Sequence, residues 1–389
     1  MNSDKDIVIT SAFRTAIGSF QGSLKDHKAT ELGTAVVKKC MEHSNLNGSE
    51  VDTVILGQVL QTGCGQNPAR QAAINSGIDK DKTATTINQV CGSGLAAVTL
   101  GFNSLKLNDT NIVIAGGQES MTNSPHYLNY RMEKNLSEEK LKDSMLIDGL
   151  IDAYDDYHMG VTAENVAEKY QISREDQDKM ALSSQQKAAN SISSGRLAKE
   201  ITSVKIPQRK GEPIIFDNDE HPRGTSLEKL SLLPSPFRQN GSVTAGNASG
   251  VNDGAAAIII ANETGIKRNH LTPKARIISA ASAGVEPAYM GIGPVPASIK
   301  ALKIAGLNIE DMDVIEINEA FAAQGLASLR SLGIQDNDER VNPNGGAIAL
   351  GHPLGMSGTR LILTATQELI EKNKKYALCT MCVGVGQGS

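Results

Sequence analysis

The chain has 389 residues, 40% hydrophobic and 21% charged, with a net charge of −5; this excludes a disordered or fibrous protein and gives no global attraction for nucleic acid. The longest apolar run, residues 255–261, is far short of the ~20 residues a bilayer span requires, and the polar start from Met1 to Asp6 carries no signal-peptide core. At ~150 residues per domain the length suggests two or three domains, large enough to need no disulfide staples.

Taken in chain order, β-branched runs alternate with amphipathic stretches. Strands are predicted over residues 7–10 and 53–59, with a helix over 29–41 between them. A short helix over 68–76, a buried strand over 86–88, a helix over 94–107 and a strand over 111–115 follow. Such alternation implies an α/β fold with a largely buried, partly parallel sheet. Residues 120–248 differ in texture. They are charge-rich, with helices over 162–170 and 174–191 and prolines at 213, 222, 234 and 236, and read as an insertion suited to covering a ligand. Residues 255–261 then return as a buried strand.

The last third repeats the first. Leu46-Asn47 and Asp52-Thr-Val54 recur as Leu307-Asn308 and Asp313-Val-Ile315, with offsets 307 − 46 = 261 and 313 − 52 = 261. The same offset carries Cys91 onto His352 and Gly94 onto Gly355, so two related halves are expected. The division reads as 1–119 plus 249–270 for the first half, 120–248 for the insertion and 271–389 for the second half.

Several chemistries drop out. There is no Walker A loop, no G-x-G-x-x-G after a strand and no G-x-S-x-G elbow, and the seven scattered histidines supply no local metal pair. Cys379-Thr-Met-Cys382 is half of a zinc site without a second half, and Cys379 suits a buried strand. The five cysteines, an odd number in a large chain, indicate free thiols in a reducing, cytoplasmic compartment.

Cys91 stands where a strand gives way to Gly92-Ser-Gly94 and a helix, and its residues admit two roles. It is either a packed structural thiol or a nucleophile whose thiolate a helix N-terminus favours, with glycines admitting a carbonyl to free N–H donors. His352, in a second glycine-dense turn before a helix, would face Cys91 as a base if a local two-fold axis relates the halves. Cys382, before Val383-Gly-Val-Gly-Gln-Gly388, is a candidate second reactive thiol, and the two thiols together a candidate disulfide under oxidation. Asn318 either holds a water or carbonyl oxygen or caps a helix.

Together Gln58-Val-Leu-Gln-Thr-Gly-Cys-Gly-Gln-Asn-Pro-Ala-Arg70, Asn88-Gln-Val-Cys-Gly-Ser-Gly94, Asn318-Glu-Ala-Phe321, Gly345-Gly-Ala-Ile-Ala-Leu-Gly-His-Pro-Leu-Gly355 and the Cys382 loop resemble the thiolase family over essentially the whole chain. Tyr157-His-Met-Gly160 with Thr162-Ala-Glu-Asn165 is similar to its biosynthetic acetoacetyl-CoA branch. The resemblance implies two mixed-sheet halves in αβαβα layers with an inserted loop domain that receives coenzyme A. It implies a reversible condensation of two acetyl-CoA to acetoacetyl-CoA. Cys91 would carry the acetyl group, His352 would activate Cys91, and Cys382 would exchange the α-proton. Asn318 would hold a water in one oxyanion hole, with the N–H groups of Cys91 and Gly384 forming the other. Arg223 and Ser249 would contact coenzyme A, and His158, Met159 and Phe321 would line the acyl pocket. It further implies a homodimer or homotetramer with coenzyme A thioesters as substrates, no cofactor, no nucleic acid and no membrane. Val385, where the family usually has glycine, and Pro343 depart from the pattern. The rival readings are a longer-chain degradative 3-ketoacyl-CoA thiolase and, from another class, a non-catalytic acyl-CoA carrier.

Overall fold

The computed structural model describes residues 6–131 and 141–389. Most of the polar N-terminal start and residues 132–140 of the expected insertion therefore lie outside the described residues. The first sheet contains β1 (Ile7–Thr15), β2 (Thr53–Gly57), β3 (Thr83–Ile87), β4 (Ile112–Ser120), β5 (Asn252–Ala261) and β6 (Ala275–Ile277). Its order is β6-β1-β5-β4-β2-β3, parallel at β4-β2-β3 and antiparallel elsewhere along that path. β4 and β5 are buried along their whole lengths at the sheet centre, which is why residues 112–115 and 255–261 read as unbroken apolar runs. Residues 86–88 were expected as a buried strand. The strand instead runs Thr83–Ile87 and is half exposed, because its threonines lie on the sheet edge.

Helices α1 (Ala29–Ser44) and α2 (Pro68–Ser76) cover one face of this sheet. In α1 the buried Leu32, Val36, Val37 and Cys40 form the stripe that meets β4 and β5. The other face is covered by α3 (Ser93–Lys106), through Val98 and Phe102, and by a long helix from the end of the chain, Leu354–Glu371. That long helix also packs on β7 (Val314–Ile317) and β8 (Ala377–Thr380), a parallel pair. Behind them, Leu302 of Pro294–Ala305 and Leu329 of Ala322–Ser331 pack on Ile315 and Ile317. The layers are therefore αβαβα, with α3 and Leu354–Glu371 as the shared central layer.

The repeat is visible in detail. The 3-10 turn Gly48–Glu50 recurs as Ile309–Asp311 (309 − 48 = 261), each closed by a reciprocal capping box from Asn47 or Asn308. Asn45 (φ 52°) ends the helix before the first turn, and Gly306 (φ 68°) ends the helix before the second, again 261 residues on. α3 begins at Ser93 and the long C-terminal helix at Leu354, so 354 − 93 = 261 holds for the central layer too. The middle of the chain supplies α4 (Met159–Lys169) and α5 (Arg174–Ser193), somewhat longer than the pattern 162–170 and 174–191. Among the described residues no helix is long and apolar enough to cross a membrane.

Candidate active site

The two central helices start against each other. A Cβ on Gly94 would lie 2.9 Å from the carbonyl oxygen of Gly355, and one on Gly358 would lie 2.5 Å from the amide nitrogen of Leu95. Thr359 Oγ1 donates to the Gly94 carbonyl (3.2 Å). Only glycines allow this approach. Cys91 and His352 each stand three residues before one of the touching glycines, so the 261-residue relation becomes a contact between equivalent turns.

Cys91 is buried at 8% exposure, packed with Leu95, Leu354 and Val383. Of the two roles open to Cys91, burial weighs against a resting thiolate. Gly92 is the N-cap of α3, which leaves Cys91 outside the helix, and burial pushes its thiol up to about 11. The N–H groups of Gly384 and of Cys91 itself face the sulfur and oppose that rise, while the charge of Glu119 adds to it. Cys382 is fully buried, and its thiol is raised well above the usual range, first by burial and then by the nearness of Cys91. Both thiols are free. The Cys91 and Cys382 loops pack on one another: a Cβ on Gly92 would lie 2.8 Å from Val383 Cγ2, and one on Gly384 would lie 3.0 Å from Val90 Cγ1.

His352 is 4% exposed and held from three sides. Its backbone N–H donates to Asn252 Oδ1 (3.0 Å). Ser357 Oγ spends its single proton on the Pro353 carbonyl (2.9 Å), so at 2.6 Å from Nδ1 it must accept, which places the ring proton on Nδ1. Nε2 then carries the lone pair, and Asn318 Nδ2 donates to it (3.3 Å). Burial, with Arg360 adding positive charge, lowers the His352 pKa to about 3, so the imidazole is neutral and basic at Nε2. Replacing Ser357 by alanine releases the tautomer and is expected to cost at least about tenfold in turnover with the fold intact, read by steady-state kinetics beside a melting curve.

Asn318 is not a helix cap. Its amide continues the β7–β8 ladder to the Thr380 carbonyl (3.0 Å), and the next helix starts only at Ala322 with Phe321 as N-cap. Its Oδ1 is buried without a protein partner. Met159, Phe321 and Cys382 share one apolar cluster with Met290, Ala320 and Ala248. His158 caps α4, its Nδ1 accepting from the Gly160 N–H (3.0 Å), and stacks on Phe237 at 4.8 Å, which packs against that cluster. Ser249 adjoins it, its N–H donating to the Ala320 carbonyl (2.9 Å). Arg223 stays outside: it is exposed, with Nη2 donating to the Ala245 carbonyl (2.8 Å).

Three supporting residues lay outside the sequence reading. Ser357, Asn252 and Glu119 lie 5, 100 and 233 residues from His352 and act only through the fold. Glu119 is buried, its carboxyl raised to about 7 by desolvation, although it accepts from the N–H groups of Val59, Leu60 and Gly355 (3.0, 3.1 and 2.9 Å). It thereby fixes the start of the His352 helix against β4. Val385 occupies the left-handed region at φ 61°, costly for a β-branched residue. Val385→Gly is expected to raise stability by about 1 kcal/mol, seen as a higher denaturant midpoint at unchanged slope.

Residues 7–264 match the family described as "Thiolase, N-terminal domain" and residues 271–389 "Thiolase, C-terminal domain". An acetyl-CoA acetyltransferase of Pseudomonas aeruginosa is 53% identical over 386 residues, 99% of this chain and 98% of that one. An acetyl-CoA acetyltransferase of Cupriavidus necator is 49% identical over 385 residues, 98% of each. The crystal structure of the Bacillus anthracis acetyl-CoA acetyltransferase superposes with a TM-score of 0.95 at 39% identity, covering 100% of this chain and 98% of the other.

Proposed function

The chain belongs to the thiolase family, and we propose that it condenses two acetyl-CoA to acetoacetyl-CoA and free coenzyme A, reversibly, through an acetyl-Cys91 intermediate. The observation that supports this reading is the meeting of the two repeat-related turns that carry Cys91 and His352, together with the packing of the Cys91 loop on the loop of a second buried thiol, Cys382. In the first half-reaction Cys91 Sγ attacks the thioester carbonyl as its proton passes to His352 Nε2, and the departing thiolate of coenzyme A takes that proton. In the second, Cys382 passes its own thiol proton to His352 Nε2 and removes the α-proton of another acetyl-CoA; the imidazolium so formed faces the enolate oxygen and later returns its proton to Cys91. The resulting carbanion attacks acetyl-Cys91, and the sulfur of Cys91 leaves and recovers a proton.

Each half-reaction builds charge on an oxygen. N–H groups of Cys91 and Gly384 would receive one, and His352 with a water on Asn318 Oδ1 the other; a donor aimed at such an oxygen contributes about 3 kcal/mol to lowering the barrier. In this mechanism protein groups and one bound water supply the charge stabilisation, and no metal or organic cofactor takes part. In this reading residues 120–248 form the loop domain that receives coenzyme A, with Arg223 at its outer rim and Ser249 at the inner end. The free thiols accord with a reducing, cytoplasmic compartment, and a homodimer or homotetramer is the assembly this reading expects.

The cluster of Met159, Met290 and Phe321 closes the acyl end and favours short chains. With EDTA present, the protein is expected to release coenzyme A from acetyl-CoA alone and to thiolyse acetoacetyl-CoA at least about tenfold faster than six-carbon or longer ketoacyl-CoA, a discrimination of ~1.4 kcal/mol. A flat chain-length profile favours the degradative reading, and turnover of neither substrate removes the enzymatic one.

A further inference from the structure

Glu316 and Arg360 form an ion pair deep in the second half. Arg360 Nη1 donates to Glu316 Oε2 at 2.8 Å, with side-chain exposures of 2% and 0%. The pair is only half satisfied, since Glu316 Oε1 and Arg360 Nη2 have no partner. A buried pair with unmet polar atoms adds little stability, and apolar residues of similar volume commonly do as well or better. Stability therefore does not account for these residues.

Their placement does. Glu316 lies on β7, and Asn318 follows it by two residues with the ladder still in register at Thr380. Successive side chains of a strand alternate, so Glu316 and Asn318 leave the same face. Arg360 follows Ser357 by three residues on Leu354–Glu371, so these two share one face of the helix. Two rungs therefore join the same strand to the same helix. One is Glu316–Arg360. The other is Asn318–His352–Ser357, which grips both nitrogens of the imidazole at 3.3 and 2.6 Å. Apolar contacts set how closely a strand and a helix approach, but they slide at little cost. A buried ion pair does not slide.

We infer that the Glu316–Arg360 pair is a positioning device for His352, fixing the strand that carries Asn318 against the helix that carries Ser357. The inference rests on the reading of His352 as the base. The charged and titratable groups facing the pair are His352, Cys379 on β8 opposite Glu316, and Glu200 and Arg196 from the inserted segment.

The test is the paired replacement Glu316→Leu with Arg360→Met in the full chain. The expected result is a melting temperature no lower than that of the unaltered protein, KM values for coenzyme A and acetoacetyl-CoA within about twofold, and kcat reduced by about tenfold or more, the size of misplacing one reacting group. Wild-type kcat in the double variant overturns the inference, as does a kcat loss matched by a fall in melting temperature. Should the double variant not fold, Glu316→Gln decides: reduced kcat at unchanged KM and melting temperature supports the device, and unchanged kcat overturns it. An unaltered protein that fails to thiolyse acetoacetyl-CoA refutes the functional reading instead, and the two failures are thus distinct.

Discussion

Serine in place of Cys91 leaves a folded protein that shows no acetylation by mass spectrometry after mixing with acetyl-CoA and loses about 10⁴-fold or more in turnover, the scale seen when a nucleophile is removed. The reason lies in the proton. Burial holds the Cys91 thiol near 11, so forming its thiolate at pH 7 costs about 5 kcal/mol even before attack. A neutral His352 meets that demand only if the proton leaves as the sulfur bonds to carbon, when the negative charge is already passing to the thioester oxygen. A hydroxyl is a much weaker acid than a thiol, and the same base does not reach it. Persistent acetylation of the serine variant removes Cys91 from the role. The same shift sets a pH dependence. Alkylation of Cys91 by iodoacetamide in the free protein should rise about tenfold per pH unit between 7 and 10, because the thiolate fraction does so below the pKa. A plateau beginning near pH 7 would mean a thiolate already present at rest.

Alanine in place of His352 is expected to lower turnover by about 10³- to 10⁴-fold, since in the proposed mechanism one residue both moves a proton and faces a developing oxyanion. The loss should appear in both half-reactions. Single-turnover acetylation of Cys91 slows because nothing accepts its proton. Exchange of the α-protons of acetyl-CoA, followed by deuterium uptake, slows because the enolate oxygen loses its donor. Acetylation impaired with normal exchange would confine His352 to the first step. The fold is expected to lose some stability, because the side-chain Nδ2 of Asn318 loses its partner and a buried ring is removed, while the Ser357 hydroxyl keeps its bond to Pro353. Melting temperature therefore separates lost chemistry from lost structure.

The strand–helix alternation and the repeat were readable in the chain because both are written in local chemistry, whereas the αβαβα layering came only from the resemblance. Apolar stripes, capping asparagines and turn residues act over a few positions, and a 261-residue offset in such signals survives in the folded protein as matching 3-10 turns and helix starts. Cys91, His352 and Cys382 stood out for the same reason, as reactive side chains beside glycine turns. Predicted ends were less accurate, and β3 was misjudged because threonines do not say whether a strand is central or at an edge.

What local pattern determined about this protein was its set of candidate reactive groups and the repeat that could bring them together. What the tertiary structure alone decided was their state. Desolvation in the assembled core raises the Cys91 thiol to about 11 and keeps the His352 imidazole neutral, a choice between thiol and thiolate that the local string left open. Ser357 and Pro353 select its tautomer, and Asn318 becomes its partner rather than a helix cap. Protonation and orientation depend on everything within a few ångströms of a group, and in a folded chain most of those neighbours are distant in sequence.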